Sequence, residues 1–392
     1  MDDLAEAIHS RPDLLFMGGG NPASIPEVTH AFSDATNRLT KDYEMFSGAA
    51  AAYSDPAGYT PLRVKLCEIL KSFYKWDISV ENIMLTNGSQ AGFHILFSLL
   101  GSGESSILLP QVPDYIGYAD LLGNQKCFFS ISGDYKRIDE YSFRYELNRN
   151  SIEDALHNAQ LAVISQPTNP TGGLLSQDDY DYLVNVTKQK GTYLLLDQAY
   201  GGPFPGIQSR SNRMDFYQHC IYSFSLSKLG FPGGRIGIFV ASTEIIQQMV
   251  EQLTITSLSP NSIGPAIAVN FFNQDNWYEL ITKTIQPYYQ NNKSFLVKEL
   301  KSSFSNDEIE YHDPEGAFFL WINFKKYSDS RKLYKLLKDG GLLVVPGDFF
   351  YFGAGIDERS PNTRPCFIRI SYTQPLARIK QSVALLRKVI TA

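Results

Sequence analysis

One lysine among hydroxyl groups distinguishes the stretch from Ser223 to Gly237, which reads Ser-Phe-Ser-Leu-Ser-Lys-Leu-Gly-Phe-Pro-Gly-Gly-Arg-Ile-Gly. Apolar residues precede and follow it, which predicts a strand, an exposed turn and a second strand. Lys228 at such a turn can form a Schiff base with a cofactor aldehyde. Ser225 and Arg235 suit the phosphate of the same cofactor, because arginine offers donors that match phosphate oxygens. Alone, the pattern is more typical of a solvated lysine; as part of a site, it indicates pyridoxal 5′-phosphate (PLP).

Two turns after earlier predicted strands carry groups that suit the same cofactor. Gly88, Ser89 and Gln90 lie where a strand becomes a helix, and the free amides of a helix start bind phosphate. An ordinary helix cap by Ser89 is the alternative. Tyr115 follows the next strand, and its ring can stack on a flat heteroaromatic cofactor. Packing of Tyr115 in the core is the alternative there.

Polar residues also end two later strands. Asn169 precedes Pro170 and is therefore held extended, so that its amide can donate to a phenolate oxygen, although a plain turn explains it equally well. Asp197 ends the apolar run 194–196, where an unpaired carboxylate is costly and needs a cation. A protonated pyridine nitrogen is such a cation, and Tyr200 can point its hydroxyl at the same ring. A salt bridge from Asp197 to an arginine is the alternative.

A late arginine completes the set of candidate residues. Strand alternation places Phe367, Arg369 and Ser371 on one face of a predicted strand. An arginine among apolar neighbours suits a bidentate contact with a substrate carboxylate, and a structural salt bridge is the alternative.

Regularly spaced apolar runs predict the elements that position these residues. Several runs lack alternation, as expected for strands that are covered on both faces. Helical patterns between them indicate an α/β architecture with a mostly parallel, seven-stranded central sheet. In such sheets, ligand residues gather beyond the carboxyl ends of the strands, where these candidates fall. The predicted strands cover residues 83–86, 106–109, 127–131, 161–165, 193–196, 221–224 and 236–240.

The pattern changes after about Trp277, and a chain of 392 residues is too long for one small core. We predict a large cofactor-binding domain over residues 42–276 and a smaller α/β domain from residues 1–41 and 277–392. The later predicted elements are helices at 279–303 and 331–338, strands at 317–324, 342–345 and 366–372, and a helix from Pro375.

Composition excludes several classes of protein. A net charge of −6 without any basic run argues against nucleic acid as a partner. No apolar run approaches the roughly 18 residues that cross a bilayer, and the acidic start lacks an export signal, so we expect a cytoplasmic protein. The four cysteines are too far apart for a zinc site or a disulfide framework, which predicts reduced thiols and no metal.

The motifs together carry a family resemblance. Their order is Gly88-Ser-Gln, Pro113-x-Tyr-x-x-Tyr, Asn169-Pro-Thr-Gly, Asp197-x-x-Tyr, Ser225-x-Ser-Lys followed by Gly233-x-Arg-x-Gly, and Ile368-Arg-Ile. This order resembles the fold type I, class I/II PLP-dependent aminotransferases over nearly the whole chain. Finer motifs, such as Gly18-Gly-Gly-Asn-Pro-Ala and Pro314-Glu-Gly-Ala-Phe-Phe-Leu-Trp, are similar to the valine–pyruvate branch of that family.

The resemblance implies a role for each candidate. Lys228 would hold PLP and move the proton, Asp197 would pair with the ring nitrogen, and Tyr115 would stack on the ring. Tyr200 and Asn169 would contact the ring oxygen, and Arg369, Asn169 and Gly20 the substrate. The residues implied to hold the phosphate are Gly88, Ser89, Gln90, Ser225, Arg235 and, from the neighbouring subunit of a homodimer, Tyr53.

The resemblance further implies amino-group transfer between a small aliphatic amino acid, of the valine or alanine type, and a 2-keto acid such as pyruvate. Another fold type I PLP enzyme, such as an amino-acid cyclase or lyase, and a non-catalytic effector-binding domain are the alternatives. Two features depart from the pattern. Gln198 replaces an asparagine of similar members, and the chain begins late relative to an N-terminal arm that often closes over the site or the partner subunit.

Overall fold

A computed structural model describes residues 14–101, 103–104, 106–123, 125–355 and 365–391. Its strands are β1 Leu15–Phe16, β2 Ile83–Asn87, β3 Ile107–Val112, β4 Phe128–Ser132, β5 Asp134–Arg137, β6 Ser142–Glu146, β7 Leu161–Ser165, β8 Tyr193–Asp197, β9 Cys220–Ser225, β10 Ile236–Val240, β11 Ile309–His312, β12 Phe319–Phe324, β13 Leu342–Leu343, β14 Val345–Pro346 and β15 Phe367–Ser371. Its α-helices are α1 Pro26–Lys41, α2 Tyr43–Ala50, α3 Thr60–Tyr74, α4 Ser89–Leu100, α5 Arg149–Ala155, α6 Gln177–Lys190, α7 Thr243–Ser257, α8 Ile263–Phe272, α9 Trp277–Leu280, α10 Gln286–Ser303, α11 Ser330–Asp339 and α12 Leu376–Thr391.

The larger sheet of the described residues has seven strands in the order β2-β10-β9-β8-β7-β3-β4. Only β10 runs antiparallel to its neighbours, and the other pairs are parallel. The predicted α/β class with a mostly parallel seven-stranded sheet is confirmed. Ile164, Leu195 and Ile221 are fully buried in neighbouring central strands, because helices cover both faces of the sheet.

Local sequence explains where the covering helices begin and end. Ser176 caps α6 by accepting a hydrogen bond from the amide of Asp179, and acidic residues in the first turn favour the positive end of the helix. Gly191 ends this helix with a φ of 71°, a left-handed conformation in which glycine has no side chain to clash. The helix therefore returns the chain to the start of β8, whose last residue is Asp197.

A second sheet of the described residues has the order β14-β15-β12-β11-β6-β5. It includes β5 and β6, which lie within the range 42–276 predicted for the large domain, yet β6 pairs with β11. Conversely, Phe32 of α1 stacks on Phe231 and Phe271, although the prediction placed α1 in the small domain. The second sheet thus includes strands from both predicted domain ranges, and α1 packs on residues of the range predicted for the other domain. The domain division stays a prediction.

Three predicted elements differ in detail. Ala317 has a φ of 55°, so β12 begins only at Phe319. The helix predicted over 279–303 begins at Trp277 and contains a π-helical turn at Ile281–Ile285. The strand predicted at 342–345 is two strands, because β13 pairs with β1 while β14 pairs with β15. No helix in the described part of the chain combines the length and apolar character that crossing a membrane requires.

Candidate active site

A cavity of about 590 Å³ opens where β3, β7 and β8 end and where β15 of the second sheet faces them. Most of the predicted site residues line it, although they come from distant parts of the chain. The predicted residues that line it are Gly20, Ser89, Gln90, Tyr115, Asn169, Asp197, Tyr200, Ser225, Lys228, Arg235 and Arg369.

Lys228 presents its amine to this cavity. Its Nζ donates a hydrogen bond to the carbonyl of Gly20 at 2.8 Å and lies 5.7 Å from the centre of the Tyr200 ring. Burial and the nearby charge of Arg369 lower the pKa of Lys228 to about 8, although Asp197 opposes this change. The amine is therefore neutral far more readily than that of a lysine in water, which is what a nucleophile or a general base needs.

Asp197 is a buried carboxylate without an ion pair among the described residues. It accepts hydrogen bonds from the Tyr118 hydroxyl at 2.8 Å, the Ser223 hydroxyl at 3.0 Å and the Ala199 amide at 3.1 Å. Burial raises its pKa, and these hydrogen bonds oppose the rise. No arginine pairs with it in this part of the chain, so the structural salt bridge considered above is not what stabilises it. A cationic ligand in the cavity would supply the missing positive charge.

Arg369 reaches the cavity from β15 and is only 6% exposed. Its Nη1 donates to Asn169 Oδ1 at 2.8 Å and its Nη2 to the carbonyl of Gly18 at 2.7 Å. Its buried Nε has no hydrogen-bond partner, and its guanidinium lies 4.1 Å from the Phe319 ring centre. Burial lowers the pKa of Arg369 to about 10, yet it carries its charge at neutral pH. An acidic ligand group would satisfy this arginine, which makes no ion pair within the described chain.

The opposite end of the cavity suits a phosphate. Gly88, not Ser89, precedes the first turn of α4, and no side chain caps this helix start, so the alternative of an ordinary cap by Ser89 does not hold. Gly88 has a φ of 83°, and a Cβ placed on it would lie 2.2 Å from Nη2 of Arg235. The guanidinium of Arg235 therefore lies against the start of α4, and Ser89, Gln90 and Ser225 line the same cavity. The free amides of a helix start and a guanidinium are donors that suit a phosphate.

Two tyrosines flank the middle of the cavity. Tyr115 meets Tyr118 edge to face at a ring separation of 5.1 Å, so it packs on the core while it also lines the cavity. Tyr200 packs edge to face on Phe318 at 5.1 Å. Burial raises the pKa of the Tyr200 hydroxyl well above its ordinary value, so it stays a hydrogen-bond donor.

A family model for aminotransferase class I and II matches residues 17–384 of the chain. The chain belongs to this family. It is 33% identical to the valine–pyruvate aminotransferase of Escherichia coli (strain K12), with 100% of this chain and 94% of that protein covered. It is 26% identical to the aspartate aminotransferase of Thermotoga maritima, with 98% and 93% covered. The solved valine–pyruvate aminotransferase of Salmonella typhimurium LT2 superposes with a TM-score of 0.88 at 32% identity, covering 100% and 98%.

The aminotransferase is therefore a PLP-dependent transaminase of fold type I. Two structural observations show that its cavity fits this cofactor. Asp197 is a buried carboxylate without a cationic partner, as a group that would bind a protonated pyridine nitrogen should be, and the absence of a Cβ at Gly88 lets the Arg235 guanidinium lie against the start of α4, where it would bind a phosphate.

Three residues of the aminotransferase that the sequence singled out are not among those that line this cavity: Gly88, which directly precedes the lining residue Ser89, Tyr53 and Gln198. Tyr53 is 83% exposed and does not line it. Gln198 is buried beside the site, where its Oε1 lies 2.1 Å from the position of a Cβ on Gly201. The glutamine side chain thus packs on the glycine, and it makes no contribution to the cavity lining.

Sequence reasoning missed three functional candidates of the aminotransferase. Tyr118 and Ser223 hold Asp197, and buried Asp114 bonds the strand end that carries Asn169. Tyr118 belongs to the Tyr-x-x-Tyr motif, so its spacing after Tyr115 was the available signal. The other two depend on contacts across strands, which local spacing does not reveal.

Proposed function

We propose that this aminotransferase moves the amino group of a small aliphatic amino acid, of the valine or alanine type, to a 2-keto acid such as pyruvate. The observation that carries the proposal is one cavity that holds Lys228, Asp197 and Arg369 beside apolar surface from Phe16 and Val345. The similarity to the E. coli valine–pyruvate aminotransferase supports the same substrates.

Lys228 is the residue that we assign to the cofactor and to proton transfer. Bound PLP supplies the aldehyde that takes up the amino group and the ring that accepts electrons. The Lys228 amine would remove the proton from the substrate α-carbon and deliver it to the former aldehyde carbon of the cofactor, on the other side of the substrate nitrogen. Its lowered pKa of about 8 supports this use as a base near neutral pH.

Asp197 is assigned to the ring nitrogen. A carboxylate that stays charged keeps a proton on that nitrogen, and the hydrogen bonds from Tyr118 and Ser223 favour its charged form. Tyr200 and Asn169 are assigned to the ring oxygen, and Tyr115 to one face of the ring. The phosphate is assigned to Gly88, Ser89, Gln90, Ser225 and Arg235.

Arg369 is assigned to the α-carboxylate that every amino-acid and keto-acid substrate carries. A carboxylate oxygen would replace the Gly18 carbonyl at Nη2 and offer a partner to the unpaired Nε. Asn169 would keep the guanidinium in place during this exchange. Gly20 lines the same region, and a Cβ on it would meet no atom within 4 Å, so the glycine leaves room for the substrate.

The charges of the cavity support an aliphatic side chain over an acidic one. Lys228, Arg235 and Arg369 are the cationic residues among the described residues that line it. Each already has a role, so none is left for a second substrate carboxylate. Phe16, Ile116 and Val345 instead offer apolar contacts.

A screen of amino acids against pyruvate tests the substrates. We expect valine and other small aliphatic amino acids to yield their keto acids and alanine, with aspartate the poorer donor. A preference for aspartate would contradict the proposal. A product without amino transfer to pyruvate, such as a cyclised or cleaved amino acid, would favour the cyclase or lyase alternative. A protein that binds PLP without turnover would favour the effector-binding alternative.

We further propose a homodimer in which Tyr53 contacts the phosphate of the neighbouring subunit. Two exposed segments support a shared interface: Tyr43 and Tyr53 are 79% and 83% exposed, and Ile255 is 78% exposed. Ser54 joins the two segments by donating to the carbonyl of Pro260 at 3.3 Å. Burial of these large side chains in a dimer interface would explain why they are exposed in a single chain.

The cytoplasm is the proposed location. All four cysteines are free thiols, and three of them are buried, which is typical of a reducing compartment. Cell fractionation with a cytoplasmic marker enzyme tests this assignment. Recovery of the protein in an exported fraction would contradict it.

A further inference from the structure

Asp114 is a second buried carboxylate beside the active site, and none of the chemistry above uses it. It is 0% exposed and lies directly before Tyr115. No cation pairs with it in the part of the chain that the structure describes. Burial raises its pKa to about 7, and its hydrogen bonds with Ser165 and Tyr115 oppose the rise. A buried acid without a cation is costly, so its retention needs a reason.

The hydrogen bonds of Asp114 connect two strand ends. Its Oδ1 accepts the amide of Tyr115 at 2.6 Å and also the hydroxyl of Ser165, while its Oδ2 accepts the amide of Ser165 at 3.2 Å. The Ser165 oxygen in turn accepts the amide of Asn169 at 3.3 Å. One carboxylate thus bonds the segment after β3 and, through one serine, the segment after β7.

Both segments end at residues assigned to ligands. Tyr115 lines the cavity as the proposed stacking ring, and Asn169 binds Arg369 through its side chain. Strands β3 and β7 are neighbours in the sheet, but they pair only at their first residues, Ile107 with Leu161 and Leu108 with Ala162. Beyond that pairing, Asp114 and Ser165 supply hydrogen bonds between the two strand ends.

We propose that Asp114, acting through Ser165, is a positioning residue that sets the relative placement of the Tyr115 ring and the Asn169–Arg369 pair. The buried Asp114 carboxylate would then influence both the stacking of the cofactor ring and the binding of the substrate carboxylate, although it contacts neither ligand. The inference rests on the proposed placement of the cofactor ring and of the substrate carboxylate.

The first test is Asp114→Asn in the holoenzyme. Asparagine keeps the shape of the side chain, but its NH₂ group would face an N–H or O–H donor from which the carboxylate accepts a hydrogen bond. The remaining hydrogen bonds would no longer have a charged acceptor. We expect the dissociation constant of PLP, measured by equilibrium dialysis, to rise about 10-fold and KM for the amino acid to rise by a similar factor. The visible absorbance of bound PLP should also shift its pH midpoint.

Ser165→Ala tests the hydrogen bonds toward Asn169 separately from the bond toward Tyr115. It also provides a second test if Asp114→Asn fails to fold. It removes the link to Asn169 but leaves the bond from the Tyr115 amide to Asp114. We therefore expect a raised KM and, because Asn169 is also assigned to the ring oxygen, a PLP dissociation constant that rises less than in Asp114→Asn. The double variant should be no worse in KM than Asp114→Asn alone, because both changes break one chain of bonds.

Thr187→Ala is the matched control. Thr187 is a fully buried residue of α6 whose hydroxyl donates to the Leu183 carbonyl, away from the cavity. It should lose stability without a change in PLP affinity, pH midpoint or KM. If Asp114→Asn and Ser165→Ala behave like this control, the positioning role is wrong. A wild type that binds PLP but transfers no amino group to pyruvate would instead overturn the proposed substrates and leave the PLP readout of Asp114 intact.

Discussion

Tyr118 donates its hydroxyl to Asp197 across 2.8 Å, and both side chains are buried. Burial raises the pKa of Asp197, and this bond, together with that from Ser223, opposes the rise and so favours the charged carboxylate. The proposed contact of Asp197 with the ring nitrogen thus depends on a tyrosine from the segment after β3, two strands away in the sheet, as well as on the acid itself.

Removal of this hydroxyl should slow proton abstraction. A hydrogen bond to a charged group contributes roughly 1.5–3 kcal/mol, so we expect Tyr118→Phe to lose about 10-fold and Asp197→Ala considerably more. Single-turnover absorbance measurements with excess amino acid report this step. Tyr180→Phe, a buried tyrosine outside the cavity lining, is the control. An unchanged rate in Asp197→Ala would refute the assignment to the ring nitrogen.

Lys228 should titrate far below other lysines in the cofactor-free enzyme. Its pKa of about 8 means that the charged form prevails below pH 8 and the reactive amine above it. Competitive acetylation followed by mass spectrometry should show a midpoint near this pH, whereas lysines in water react with a midpoint of about 10.4. Because burial and then Arg369 lower this pKa, Arg369→Met should move the midpoint upward. A wild-type midpoint near that of surface lysines would contradict the site as described.

Lysine at position 369 should impair both half-reactions equally. Arg369→Lys keeps the charge but not the fork of donors, so about one hydrogen bond is lost, on the order of 10- to 100-fold in kcat/KM. PLP loading should stay normal. Measurement of the amino-acid and keto-acid half-reactions beside the visible absorbance tests this, and a defect in only one of them would show that the carboxylate binds elsewhere.

Gly88→Ala should weaken PLP binding, because the new side chain would displace the Arg235 guanidinium. The new Cβ would lie 2.2 Å from the guanidinium and would also require a φ of 83°. Gly191→Ala is a matched control, since it has a φ of 71° but no atom within 4 Å of its Cβ. Both variants should lose about 1–2 kcal/mol of stability from backbone strain, and only Gly88→Ala should lose PLP affinity in dialysis. Equal PLP affinity in the two variants would argue against a phosphate site there.

Mixed dimers test the role of Tyr53. If Tyr53 reaches the partner's phosphate, inactive Tyr53→Phe and Lys228→Ala chains should regain activity when they are mixed, because one hybrid site inherits neither change. Each variant mixed only with itself is the control. A monomeric and fully active wild type in sedimentation would exclude the shared site.

Sequence patterns predicted the central sheet well, because its strands are buried on both faces and have continuous apolar runs. Asp197 and Asn169 were predictable for a related reason: each is a polar residue at the end of such a run. The split of residues 342–346 between two pairings was not, since Leu342 and Val345 are equally apolar and only their partners differ. Asp114 was missed because its partner Ser165 is the last residue of another strand, β7.

Gly18 and Gly20 belong to one tripeptide, and their carbonyls accept hydrogen bonds from Arg369 and Lys228 respectively. A ligand carboxylate that takes Nη2 of Arg369 leaves the Gly18 carbonyl without that donor, at one end of the segment whose other end restrains the lysine. Glycines have few barriers to such a rearrangement. This tripeptide therefore connects the proposed carboxylate site with the proposed cofactor lysine, and the loss of either hydrogen bond would free one of its ends.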